Sequence, residues 1–87
     1  MVDKLRFSLV SPERQLFAGE VDQVDAPGSE GDFGVLFGHA PFMSTLKEGR
    51  VIVYQGSSTR IFEVHGGFAE VTPEGLTILA EQAHEAA

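Results

Sequence analysis

Short β-branched or aromatic runs alternate with turn residues about every ten positions along this chain, a spacing that suits antiparallel sheet and leaves little room for a helix. Leu5, Phe7 and Leu9 fall on one face of Lys4–Leu9, with Lys4, Arg6 and Ser8 on the other, the pattern of a half-buried strand. Ser11-Pro12-Glu13 stops it, because proline has no N–H to give to a ladder. Gln15–Gly19 is a short apolar piece ended by glycine. The step of three from Val21 to Val24 breaks period two and predicts a bulge or twist. Phe42–Leu46 carries no helical signature. Arg50–Tyr54, the turn Gln55–Ser58 and Thr59–Val64 predict a hairpin. His65-Gly66-Gly67 is a flexible point before Phe68–Thr72, the turn Pro73-Glu74-Gly75 and Leu76–Ala80. This is an all-β pattern, sandwich or barrel.

At 87 residues the chain predicts one domain, with its sheet structure in residues 1–80. Residues 81–87 are Ala- and Glu-rich helix formers, but too few to nucleate a free helix, and are expected as a frayed tail or one docked turn. A chain this small buries only roughly 60–65% of its unfolded surface. With no cysteine to staple it, the 43% of residues that are hydrophobic, seven Phe among them, must carry the fold. The lack of cysteine fits a reducing compartment. No run approaches the ~20 apolar residues of a membrane span, and the N-terminus does not read as a signal peptide; a soluble cytosolic chain is expected. A net charge of −7, with no basic stripe, excludes nucleic acid and disfavours an anionic membrane surface.

The most unusual stretch runs from Ala26 to Pro41 and holds four of the ten glycines and two of the four prolines. Such density specifies a loop path. Within it, Phe33–Phe37 is short and apolar enough for a buried strand. Asp32-Phe33-Gly34 repeats a kinase magnesium tripeptide without the phosphate loop or paired lysine that give it meaning. Gly28, Gly31 and Gly34 are spaced by threes, unlike the dinucleotide fingerprint, and no helix follows. His39, His65 and His84 lack metal-ligand spacing, and His39 is expected to bond to loop backbone. Ser29, Ser44, Ser57 and Ser58 lie in no nucleophile elbow, and alternation turns Glu63 and Glu70 outward. The residues therefore predict no enzyme, catalytic site, metal or cofactor. They leave large apolar side chains, Phe37, Phe42 and Met43, around His39-Ala40-Pro41, either covered by a partner or folded under the loop.

Ser11-Pro12, Leu16-Phe17-x-Gly19, Ala26-Pro27-Gly28, Gly31-Asp-Phe-Gly-Val-Leu-Phe-Gly-His-Ala-Pro41, Leu46-x-x-Gly49, Gly66-Gly-Phe-Ala-Glu-Val71 and Leu76-Thr-Ile-Leu-Ala80 occur in this order. Together they resemble the N-terminal domain of the epsilon subunit of bacterial F-type ATP synthase, equivalent to the mitochondrial delta subunit. The resemblance implies a flattened β-sandwich of two antiparallel sheets with about ten short strands. It implies a non-catalytic rotor subunit linking the gamma subunit to the membrane c-ring and supporting the coupling of proton flow to ATP synthesis. Its place would be peripheral, at the cytoplasmic face of the bacterial inner membrane, with the membrane met only through the complex. Ser29, Glu30, Gly31 and Asp32 would face the c-ring; His39, Pro41, Phe42 and Met43 would face gamma. The chain departs from the family in having Phe37 where proline is usual, and in stopping at Ala87 where a C-terminal helical hairpin would begin. Hairpin-mediated inhibition and hairpin-bound ATP are accordingly not expected of it. The other expectation is a free-standing β-sandwich ligand- or protein-binding module using the Gly28–Pro41 loop.

Overall fold

A computed structural model describes residues 4–86. Eight strands follow one another: β1 (Leu5–Val10), β2 (Gln15–Val21), β3 (Gln23–Ala26), β4 (Phe33–Val35), β5 (Phe42–Thr45), β6 (Gly49–Gln55), β7 (Ser58–Val71) and β8 (Gly75–Glu85). The hydrogen-bonded order is β2-β1-β8-β7-β6-β3-β4, with β5 also on β7. The first half of β8 and the second half of β7 complete a layer with β2, β1 and β5. The first half of β7 and the second half of β8 complete the other layer with β6, β3 and β4. About ten separate short strands were expected. Instead, two long strands of 14 and 11 residues each serve both layers, so each layer still has five strand segments. The sheets are antiparallel except for β1 and β8, which pair in parallel from Arg6↔Gly75 to Val10↔Leu79.

Glycine makes the shared strand possible. Gly66 and Gly67 sit mid-strand in β7 with φ of 76° and 122°, values that favour glycine, where the chain passes from one layer to the other. The predicted flexible point is thus a bend inside a continuous strand.

Register sets the core. In the first layer Phe7, Leu76 and Val71 form one inward row, and Phe17, Leu9, Ile78 and Ala69 the next, all buried. Val35, Val24 and Val53 form an inward row of the second layer. The layers meet where Phe17 packs edge-on against Phe62, ring centroids 6.2 Å apart, with the Phe7 ring 5.5 Å from that of Phe17.

Three local expectations change. β2 runs on through Gly19 to Val21, because Gly19 pairs with Phe7. The irregular step between Val21 and Val24 is a change of layer at Asp22. That residue's N–H donates to the Tyr54 carbonyl (2.8 Å), and its carboxylate accepts from the Gly56 N–H (2.6 Å) and pairs with Lys4. The Lys4 bond, and after it the Gly56 N–H, hold the Asp22 carboxyl below the usual carboxylate range. Finally, Glu81–Glu85 is neither a frayed tail nor a helical turn but the end of β8, paired with β7 from Gln82↔His65 to Glu85↔Phe62. Inter-strand hydrogen bonds outweigh the weak helix preference of so short a segment. Ala87 lies outside the described residues.

Candidate functional site

The Ala26–Pro41 stretch leaves β3, makes a tip, enters β4 and turns again before β5. The tip is tied down by one antiparallel bridge, Gly28↔Leu46. Its two bonds run from the Ser29 N–H to the Thr45 carbonyl (2.9 Å) and from the Lys47 N–H to the Pro27 carbonyl (3.0 Å). Gly28 must be glycine, since a Cβ there would lie 2.5 Å from the Gly31 carbonyl oxygen and 2.9 Å from the Phe33 ring. Ser29, Glu30, Gly31 and Asp32 project beyond this bridge, all exposed. The Thr45 hydroxyl donates to Ser29 Oγ at 2.8 Å, and the Lys47 ammonium lies 3.9 Å from Asp32.

Beyond β4 the chain makes a hydrogen-bonded turn, His39 N–H to Leu36 carbonyl at 3.2 Å, with Gly38 at φ 82° in its third position. That is the type II pattern. The Gly38 N–H donates to the Pro73 carbonyl (3.0 Å), fastening this turn to the one between β7 and β8. His39 Nδ1 lies 3.1 Å from the Ala40 carbonyl oxygen, in keeping with a loop-fixing role. Phe42 is half-buried, its ring 5.2 Å from Phe33 and 5.3 Å from His39. The two readings of the apolar flank are therefore divided between residues. Phe42 folds under the loop, whereas Phe37 and Met43 are 45% and 65% exposed, and His39 and Pro41 are exposed with them. Only Phe33–Val35 of the apolar run is strand; Leu36 and Phe37 turn outward.

A second apolar patch escaped the sequence reading. Phe68 pairs with Leu79, and Leu79 with Val10, forming an outward row on the first layer beside a cavity of about 300 Å³. Leu79 falls off the Leu76–Ile78–Ala80 period, and that was the available signal.

Several of the remaining chemical candidates are engaged in local pairs. Glu63 contacts Arg50 (3.9 Å) and His84 (3.3 Å), while His65 contacts Glu48 (3.3 Å). The His65 and His84 rings stack at 6.4 Å, and His39 contacts its own loop. Glu70 is exposed, as alternation predicts. Ser44 Oγ donates to the Thr45 carbonyl (2.9 Å). Asp25 accepts from Gln23 Nε2 (2.7 Å) and from Tyr54 Oη (3.0 Å), and the bond from Tyr54 raises the pKa of the phenol above its ordinary value.

Fold and loop together define a small β-sandwich domain whose most elaborated surface is a glycine-shaped loop with an acidic tip and an apolar flank. The chain belongs to the family described as ATP synthase, Delta/Epsilon chain, beta-sandwich domain, which it matches over residues 4–86. It is 69% identical over 84 residues to the ATP synthase epsilon chain of Caulobacter vibrioides, covering 97% of this chain and 98% of that one. It is 67% identical to the epsilon chain of Hyphomonas neptunium over 95% of this chain, but spans only 62% of that relative's length. Among solved structures it is similar to a chain of the Euglena gracilis mitochondrial ATP synthase OSCP/F1/c-ring assembly, with TM-score 0.89 and 24% identity over 98% of this chain and 55% of that one. A chain of the Tetrahymena thermophila mitochondrial ATP synthase central stalk and c-ring is similar with TM-score 0.79 and 14% identity over 94% of this chain and 66% of that one. At these identities the two structures establish the shared fold.

Proposed function

We propose that the chain is a non-catalytic central-stalk subunit of an F-type ATP synthase, linking the gamma subunit to the c-ring so that proton flow is coupled to ATP synthesis. The observation that carries this reading is its 69% identity, along nearly the full length of both chains, to a relative named as an ATP synthase epsilon chain. The two similar chains come from ATP synthase assemblies that include a c-ring and a central stalk, which supports it. In this reading Ser29, Glu30, Gly31 and Asp32 meet the c-ring, and His39, Pro41, Phe42 and Met43 meet gamma. The exposed Phe37 and Met43 are then apolar surface covered by a partner. The chain supplies no catalytic residue and holds no cofactor. It sits peripherally at the cytoplasmic face of the bacterial inner membrane, held there through the complex. Family membership favours this over a free-standing binding module.

The test has two parts. The purified chain recovers gamma at near one-to-one; failure to recover it counts for the binding-module alternative. Glu30→Lys combined with Asp32→Lys weakens ring association and proton pumping while leaving the thermal midpoint of the isolated domain in place. Unchanged pumping and ring association would remove the tip from the ring interface.

A further inference from the structure

β5 lies between the two working edges of the loop. Its first residues, Phe42 and Met43, belong to the apolar flank, and its last, Thr45, touches the acidic tip. Thr45 is the node of that contact. Its carbonyl accepts the Ser29 N–H (2.9 Å) and the Ser44 hydroxyl (2.9 Å), and its own hydroxyl donates to Ser29 Oγ (2.8 Å). The next residue, Leu46, is buried and gives its N–H to the Gly67 carbonyl (2.9 Å), at the bend where β7 changes layer. The tip is joined to β5 through this residue and the Gly28↔Leu46 bridge beside it, with the Lys47–Asp32 contact (3.9 Å) and the Phe33–Phe42 ring contact (5.2 Å) as the other links.

We propose that Thr45 is a positioning residue: its hydroxyl fixes the Ser29–Asp32 tip to β5, so that the tip and the Phe42–Met43 flank move as one body. The proposal deepens the function proposed above and rests on it for its consequence, since a joint between two partners transmits torque only if its two contact surfaces do not shift against each other. The side chain required is a hydroxyl at this position, not merely a β-branched residue. Thr45→Val keeps the shape and removes the donor; Thr45→Ser keeps the donor.

Amide hydrogen exchange at Ser29 in the isolated chain tests the joint without any partner. Thr45→Val is expected to speed exchange of the Ser29 N–H by about twofold to fivefold, the worth of one exposed hydroxyl bond. Thr45→Ser is expected to restore it, with no change in either variant at buried strand amides such as those of Leu9 or Val64. Exchange at Ser29 that is the same in wild type and Thr45→Val overturns the proposal, whatever the ring does. Association with the purified c-ring then tests the consequence. Thr45→Val is expected to weaken it by a similar factor, Thr45→Ser to restore it, and gamma binding to stay as it was. If Glu30→Lys with Asp32→Lys weakens ring association and Thr45→Val does not, the positioning role is wrong and the ring-facing tip stands. If exchange responds to Thr45 but neither substitution alters ring association, the joint is real and the ring-facing reading fails.

Discussion

Gly67 and Leu79 approach so closely that a Cβ on Gly67 would lie 2.2 Å from the Leu79 carbonyl oxygen. The same glycine has φ 122° and accepts the Leu46 N–H, so the bend of β7, the seat of β8 and the anchor of β5 converge on a residue without a side chain. Gly67→Ala combines a left-handed backbone with a backbone clash and is expected to cost about 3 kcal/mol or more. Gly56→Ala is the control. Gly56 has φ 63° but open space around its Cβ position, so that substitution carries backbone strain alone, about 1 kcal/mol. Urea unfolding of the two variants measures the difference; equal midpoints would mean that β8 gives way easily at Leu79.

Phe37 occupies the second position of the Leu36–His39 turn, where a type II turn favours proline. Phe37→Pro is expected to stabilise the domain by about 0.4–1 kcal/mol by narrowing the unfolded ensemble, a rise of roughly 2–6 °C in Tm. If the exposed ring also contacts gamma, the same substitution weakens gamma binding while raising Tm. Opposite movement of the two measurements separates a turn residue from a partner contact.

Arg60 holds the end of β8 to the body. Its guanidinium lies 5.1 Å from the Phe17 ring centroid and 5.3 Å from that of Phe62, and it bonds both Glu85 carboxylate oxygens at 2.8 and 2.9 Å. Arg60→Ala is expected to lose about 1 kcal/mol through the aromatic contacts and to speed amide exchange at Ala86, whose N–H bonds the Ile61 carbonyl. Arg60→Lys keeps the charge without the two-pronged fork and should protect this end only in part.

Acid should weaken the fold through two carboxylates. The Lys4 bond, then the Gly56 N–H, holds the Asp22 carboxyl down, and Arg60 does the same for Glu85. A pKa lowered by folding means that the unfolded chain takes up the proton first. The stabilisation is therefore complete above about pH 5 and is lost as pH falls below about 4. Tyr54 is shifted the other way by Asp25, so its contribution is present below about pH 10 and is lost as pH rises beyond that. Thermal melts across this range check both limbs. Asp22→Asn should flatten the acid limb, and an unchanged slope would remove Asp22 from the account.

Much of this was legible in the residues alone. Alternation assigned Leu5, Phe7 and Leu9 to the core and turned Glu63 and Glu70 outward, because side chains on a strand change face at every step whatever the strand pairs with. The glycine density of Ala26–Pro41 marked the loop, since left-handed turns and close backbone approaches require that residue. Residue type alone marked an acidic edge at Glu30 and Asp32 and an apolar one at Phe37, Phe42 and Met43. What local sequence did not contain was pairing. The parallel match of β1 with β8, the sharing of β7 and β8 between two layers, and the conversion of Glu81–Glu85 from helix-forming residues into strand all depend on hydrogen bonds to residues distant along the chain. The split between Phe42, folded under, and Leu36, Phe37 and Met43, turned outward, has the same origin. Periodicity states which side a residue faces, and only the packed neighbour decides whether that side is covered.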